Sequence, residues 1–355
     1  MRPLKKLKET ITKQAVMGCL IKSIKMADSL KWKDRFLSSG IPLEFEVAKL
    51  LSRHGFSTSY DYSYQRLDNK EEKEFSIDIY GHCFYPFEEH SAIENVVRIL
   101  VECKFRNPQV KWFFIPSHEE DDFDSHTMRS EIKLVDEFSP YTFPSKNKLS
   151  APLMKTALKG VEVNIHTGEV HETGILHGTN QLTYGLPVLL NTVILESSDE
   201  AIDECYPQII IPILVTTSEL FLLNNDVTIK SVSNVKDLKE IAIEVPYLRL
   251  CSNLYSSFKT HCRNIFADIF DFNDNRDNYE LFSKLRIMNL DFFQKNDAVI
   301  SSPKHLLKTL SLGTEDDFFK EIIVCNFSNL NKLISEIKVM VDIMNKSKID
   351  LRKVK

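Results

Sequence analysis

Hydrophobic and polar positions alternate with period two in two short stretches, 75–81 (FSIDIYG) and 99–105 (ILVECKF). A strand turns every second side chain to the same face. In the second stretch Ile99, Val101, Cys103 and Phe105 make an apolar face, and Leu100, Glu102 and Lys104 share the other. In the first, Phe75, Ile77 and Ile79 line the apolar face while Ser76, Asp78 and Tyr80 point away from it. Charge is costly to bury within such apolar strands. Set side by side, the two strands bring Asp78, Glu102 and Lys104 into one pocket.

The same patterning predicts the remaining elements. Residues 4–37 have helical spacing, Ser38, Ser39 and Gly40 break it, and Pro42 suits the first turn of a helix over 42–54. Leu43, Val47, Leu50 and Leu51 cluster on one side of that helix, and Gly55 stands at its end. A strand over 58–66 precedes the first stretch. Trp112, Phe113, Phe114 and Ile115 form an unbroken apolar run that reads as core rather than as a base-stacking platform. From 117 to 151 the chain is a polar insertion without a legible fold. A buried helix, or two short helical pieces, is expected over 180–195, with strands over 209–216 and 219–223. Helices are expected over 236–242 and 251–270, a strand over 321–325 and a final helix over 330–344.

Composition narrows the class. With 355 residues, 43% hydrophobic and 27% charged, the chain can build a sizeable core. A net charge of −5 argues against a general nucleic-acid coat protein and leaves room for an enzyme with a local basic cleft. Residues 1–37 are basic and form a candidate phosphate-contacting extension. Seven scattered cysteines without a CxxC pair fit reduced thiols in a cytoplasmic protein, and His82-Cys83 and His261-Cys262 make poor zinc signatures. Neither a secretory signal nor a stretch able to span a bilayer is visible.

The polar pocket suits phosphodiester hydrolysis, which needs an activated water, neutralised charge on the attacked phosphate and a stabilised leaving oxygen. Carboxylates on neighbouring strands can hold a Mg2+ ion that serves these needs. A lysine two residues past one of them points the same way and can orient the water. Glu44 borders the buried side of the 42–54 helix and is preferred over Glu46 as a further metal ligand, because Glu46 shares its side with Lys49 and Arg53. A plain alternative stands beside each assignment: Asp78 as a surface residue, Glu102 and Lys104 as an exposed pair, and Glu44 as a carboxylate favoured by the helix dipole.

The order helix-Glu44, strand-Asp78, strand-Glu102-Cys103-Lys104 resembles the PD-(D/E)xK nuclease superfamily. The stretch 43–56 is similar to the first helix of Holliday-junction resolvases and methylation-dependent restriction enzymes, whose helix Glu sits eleven residues before a glycine, as Glu44 does before Gly55. Two departures stand out: Ile77 replaces the usual proline, and Gln181 and Tyr184 are spaced one residue closer than the Gln-xxx-Tyr pair of one branch. The resemblance covers 40–105 and, loosely, 180–223.

It implies an α/β, restriction-endonuclease-like mixed sheet flanked by helices. On this reading 38–250 is the nuclease core with an insertion at 117–151, 1–37 is a helical extension, and 251–355 is a mostly helical region packing on the core. It further implies Asp78, Glu102 and Glu44 as metal ligands, Lys104 as a catalytic group, Gln181 and Tyr184 along the substrate cleft, and dependence on Mg2+ or Mn2+. Cleavage of DNA is expected, with restriction or anti-phage defence suggested by the company this fold keeps. A homodimer is also expected, since enzymes that cut both strands often pair two sites. An RNA or branched-DNA nuclease, and a non-catalytic nucleic-acid-binding subunit, are the competing expectations.

Overall fold

The computed structural model describes residues 31–68, 71–87, 92–117, 132–135, 139–143, 154–199, 205–251, 254–267 and 316–353. A mixed sheet of twelve strands runs through them, with helices on both sides. At one end β1 (Ser57–Asp68) and β2 (Glu71–Tyr85) pair antiparallel, and β3 (Asn95–Lys104) continues antiparallel beside β2. β9 (Gln208–Thr216) lies parallel to β3, joined to it through Lys104↔Thr216. β5 (Lys133–Val135) covers the first part of β9, and β13 (Glu321–Asn326) runs parallel along its second part. β12 (Tyr247–Cys251), β7 (Thr156–Asn164), β4 (Val110–Pro116), β10 (Leu220–Leu223) and β11 (Ala242–Val245) complete the order, with β8 (Val170–His171) on β7. A separate ribbon pairs β6 (Tyr141–Thr142) with β14 (Ile349–Asp350).

β9 shows why the core lies on both faces of the sheet. All nine of its residues are buried. Ile209, Ile211, Ile213 and Val215 face one layer, and Ile210 and Leu214 face the other. A strand covered on both sides reads as a continuous apolar run instead of an alternating one. The first layer is built by α1 (Ile41–Arg53), whose stripe Leu43, Val47, Ala48 and Leu51 is buried, and by α6 (Leu330–Ser347). The second is built mainly by α2 (Thr173–Asp199), with α4 (Ser256–Ile265) and α5 (Asp316–Phe319) beside it. A short helix, α3 (Ile229–Asn234), buries no side chain. In β3 the odd positions Val97, Ile99, Val101 and Cys103 pack toward α1 and α6, the three aliphatic ones each contributing roughly 1.5–3 kcal/mol of burial.

Several expectations change. Residues 236–242 form only a 3-10 turn at Leu238–Glu240 before β11 begins, and Cys251 ends β12 instead of opening a helix. Residues 173–199 are a single helix despite the internal Pro187. β7, β8, β11 and β12 were not apparent in the sequence, and β13, from the C-terminal region, is inserted between β9 and β12. Ile115 is 43% exposed, whereas Trp112 and Phe114 are fully buried. The expected extension up to residue 30, and most of 117–151, lie outside the described residues. Among the described residues no helix is long and apolar enough to cross a membrane.

Candidate active site

The site forms where β2 and β3 part. Their ladder runs from Tyr85↔Asn95 to Ile79↔Val101 and stops there. The next pair in that register would be Asp78 with Glu102. Instead, Asp78 Oδ2 accepts a hydrogen bond from the Cys103 backbone N–H at 2.6 Å, so that a side chain replaces a ladder bond. β2 changes faces at this point. Phe75 and Ile77 pack in the α2 layer and Ile79 in the α1 layer, so the single apolar face expected for these three residues is divided at Asp78.

Across the hairpin, Asp61 stands opposite Asp78, between the pairs Tyr60↔Ile79 and Tyr62↔Ile77. Its φ of 55° is left-handed, a conformation uncommon for residues other than glycine and tolerated by Asp and Asn. Sequence reasoning passed over Asp61. Its place opposite Asp78 follows from the register of the pairing, which the local pattern does not fix.

Glu102 points into the α2 layer and is fully buried. One of its oxygens, Oε1, holds the Lys104 ammonium, while the other, Oε2, is buried with no hydrogen-bond partner. Lys104 Nζ also lies 3.4 Å from Gln181 Oε1, and Gln181 Nε2 donates to the Ser76 carbonyl at 2.8 Å. Gln181 therefore ties the lysine to β2. The helix can lie this close because residue 178 is glycine. A Cβ there would sit 2.6 Å from Leu214 Cδ1, 3.3 Å from Lys104 Cε and 3.5 Å from Glu102 Cγ.

Carboxylates dominate the local field. Burial, then the charge on Asp78, pushes the Glu102 carboxyl up to about 8 against the pull of Lys104 and of the Asp78 backbone N–H. Burial also raises Asp78, with Asp61 adding to it and the Cys103 N–H and Lys104 opposing. Glu44, in the first turn of α1, is raised by burial and by Asp78 and Asp61, while Lys104 works against the shift. The structure thus brings Asp78, Glu102 and Lys104 together and couples Glu44 to them from the opposite layer. Asp78 keeps Oδ1 without a partner among the described residues. The site therefore offers two unclaimed carboxylate oxygens, Asp78 Oδ1 and Glu102 Oε2. Among the described residues no three His, Cys, Asp or Glu side chains come together in a group that could hold a metal ion.

On α2, His177, Gln181 and Tyr184 follow one another at helical spacing and share a side. Burial, together with Lys104 and Arg66, lowers the His177 imidazole. Tyr184 lies beside the Arg66 guanidinium of β1 and bonds Ser257 Oγ at 2.9 Å. His177 and Arg66 went unnoticed in the sequence. His177 precedes the point at which the helix was expected to begin, and Arg66 occupies the last position of an expected strand. A second ion pair, Arg106–Glu162 at 2.7 Å, lies next along the same side under Gly174.

No family model, no curated protein and no solved structure matches this chain.

Proposed function

We propose that the protein is a divalent-metal-dependent nuclease that hydrolyses DNA phosphodiester bonds. On this reading its sheet is a variant of the restriction-endonuclease-like architecture, Asp78 and Glu102 hold the metal, and Lys104 serves the reaction. The observation that carries the reading is Glu102. It is an acid with no exposure, one oxygen on a lysine and the other on nothing, beside an aspartate that also has an oxygen to spare. An unsatisfied buried carboxylate oxygen is expensive to keep, and a cation is the partner that would satisfy it.

The donor chemistry fits Mg2+ or Mn2+. Hard divalent ions take oxygen ligands, and Mg2+ commonly uses only one or two carboxylates while keeping several waters. When bound, such an ion supplies an acidified water and neutralises charge on the phosphate. The chain's own groups do the rest. The Cys103 N–H fixes Asp78 in place. Lys104, held between Glu102 and Gln181, presents an ammonium where negative charge accumulates on the attacked phosphate. Glu44 and Asp61 keep the pocket strongly acidic and so favour a cation there. Defence against foreign DNA and a dimeric assembly belong to the same proposal.

Purified protein incubated with supercoiled plasmid and Mg2+ or Mn2+ tests it. Nicking that disappears in EDTA and in Lys104→Ala supports the reading. Cleavage that survives Lys104→Ala, or no cleavage with any divalent ion, overturns it. Parallel reactions on single-stranded DNA, branched DNA and RNA decide the substrate. Oligonucleotide binding in EDTA without cleavage or metal uptake would point instead to a binding subunit.

A further inference from the structure

Arg66 is a cation held in place by rings alone. Its guanidinium carbon lies 3.9 Å from the centre of the Phe75 ring and 4.6 Å from that of Tyr184. Phe75 is stacked in turn on Tyr64, and Tyr184 is fixed by its bond to Ser257 and by an edge contact with Phe258 at 5.3 Å between centres. Among the described residues the guanidinium has neither an ion-pair nor a hydrogen-bond partner. Other arginines near this face are paired: Arg98 with Glu196 and Arg106 with Glu162. Aromatic rings satisfy the faces of a guanidinium and leave its N–H donors, which lie in its plane, unused.

Its position gives those donors a destination. Tyr184 is on the same side of α2 as Gln181, which touches Lys104, and His177 lies one turn earlier. We propose that Arg66, seated on Phe75 and Tyr184, binds a phosphate of the nucleic-acid strand next to the bond that is cut. The proposal deepens the nuclease reading and rests on it for the identity of the strand. A planar fork of donors on a preorganised mount is the arrangement that grips phosphate oxygens in pairs. Beside Lys104 it adds positive charge to a site dominated by carboxylates, on the path a polyanion must take. The depression of His177 by both Lys104 and Arg66 agrees with the two cations facing one space.

The phosphate is either internal or a terminal monophosphate, and the test separates them. Full-length protein is titrated in EDTA, so that no bond is cut, with fluorescent oligonucleotides carrying either a 5′-phosphate or a 5′-hydroxyl. The titrations are repeated across salt concentrations for wild type, Arg66→Ala, Arg66→Lys and Arg66→Gln, each checked for folding by thermal denaturation. The expectation is a loss of about ten- to hundred-fold for Arg66→Ala, independent of base sequence. The salt slope should fall by about one counterion, and Arg66→Lys should restore the slope more than the affinity. An equal loss on both oligonucleotides assigns an internal phosphate, and a loss confined to the 5′-phosphorylated one assigns a terminal group.

An unchanged slope in a folded Arg66→Ala, or the same affinity for Arg66→Gln and wild type, overturns the proposal. So does wild-type protein that binds neither oligonucleotide. If the plasmid is never cut yet Arg66 sets the slope, the nuclease reading fails and the phosphate site stands. If cutting is normal and the slope does not move, only the phosphate site fails.

Discussion

Two ion pairs lie near the end of β3 beneath the same helix, and they differ in what they leave over. Arg106–Glu162 is closed. The guanidinium also donates to the Phe105 carbonyl at 2.8 Å, and no buried oxygen of Glu162 goes unpartnered. Glu102–Lys104 is open: Glu102 Oε2 is buried and unpartnered, and Asp78, Asp61 and Glu44 crowd negative charge around it. Both pairs sit under glycines of α2, Gly174 and Gly178, so tight packing does not distinguish them. The comparison teaches that a buried ion pair is informative by its surplus. Satisfied pairs hold a fold together, whereas an unsatisfied one awaits a ligand.

Exchanging one acid in each pair separates the two roles most sharply. Glu102→Gln should lower metal-dependent cleavage by about a thousand-fold without unfolding the protein, as plasmid nicking and thermal denaturation would show. Glu162→Gln should instead cost about 2–3 kcal/mol of stability by leaving Arg106 poorly paired, with cleavage per folded molecule nearly unchanged. The reverse outcome would mean that the roles of the pairs have been assigned the wrong way round.

The open pair should also make stability depend on pH. The folded pocket favours the protonated form of Glu102, so its contribution is complete below the ordinary carboxyl range and is lost as pH rises through about 8. In EDTA, wild type should therefore lose on the order of 4 kcal/mol relative to Glu102→Gln between pH 5 and pH 9, measured by denaturant unfolding at each pH. Parallel curves for the two proteins would break the argument from burial.

Smaller effects follow from the packing and the field. Gly178→Ala would press a methyl group toward Leu214 and Lys104, costing about 1–2 kcal/mol in thermal unfolding and lowering cleavage beyond that. Asp61→Asn removes one charge facing Asp78, and a change of about 1 kcal/mol or less weakens Mn2+ binding a few-fold, measurable by titration followed with electron paramagnetic resonance. No change in Mn2+ affinity would remove Asp61 from the site.

How much of this was legible depended on how local the cause was. The face of β3 carrying Leu100, Glu102 and Lys104 followed from alternation, because a strand's period is fixed by its own backbone. The stripe of α1 followed in the same way from helical spacing. Alternation failed at Asp78, where the pairing of β2 with β3 ends and Ile77 and Ile79 go to opposite layers. A break in pairing depends on the partner strand, which a local pattern does not contain. β7 was missed for a related reason: its mixed exposed and buried positions follow neither period cleanly.

The chain by itself determined which residues could share a face and where charge stood inside apolar strands, since both are consequences of local backbone geometry. Only the tertiary structure decided that β13 enters between β9 and β12, that Asp61 stands against Asp78, and that α2 lowers His177 and Tyr184 toward Lys104 and Arg66. Those outcomes rest on contacts between distant segments. Their energy is realised only when the layers close and water leaves the space between them.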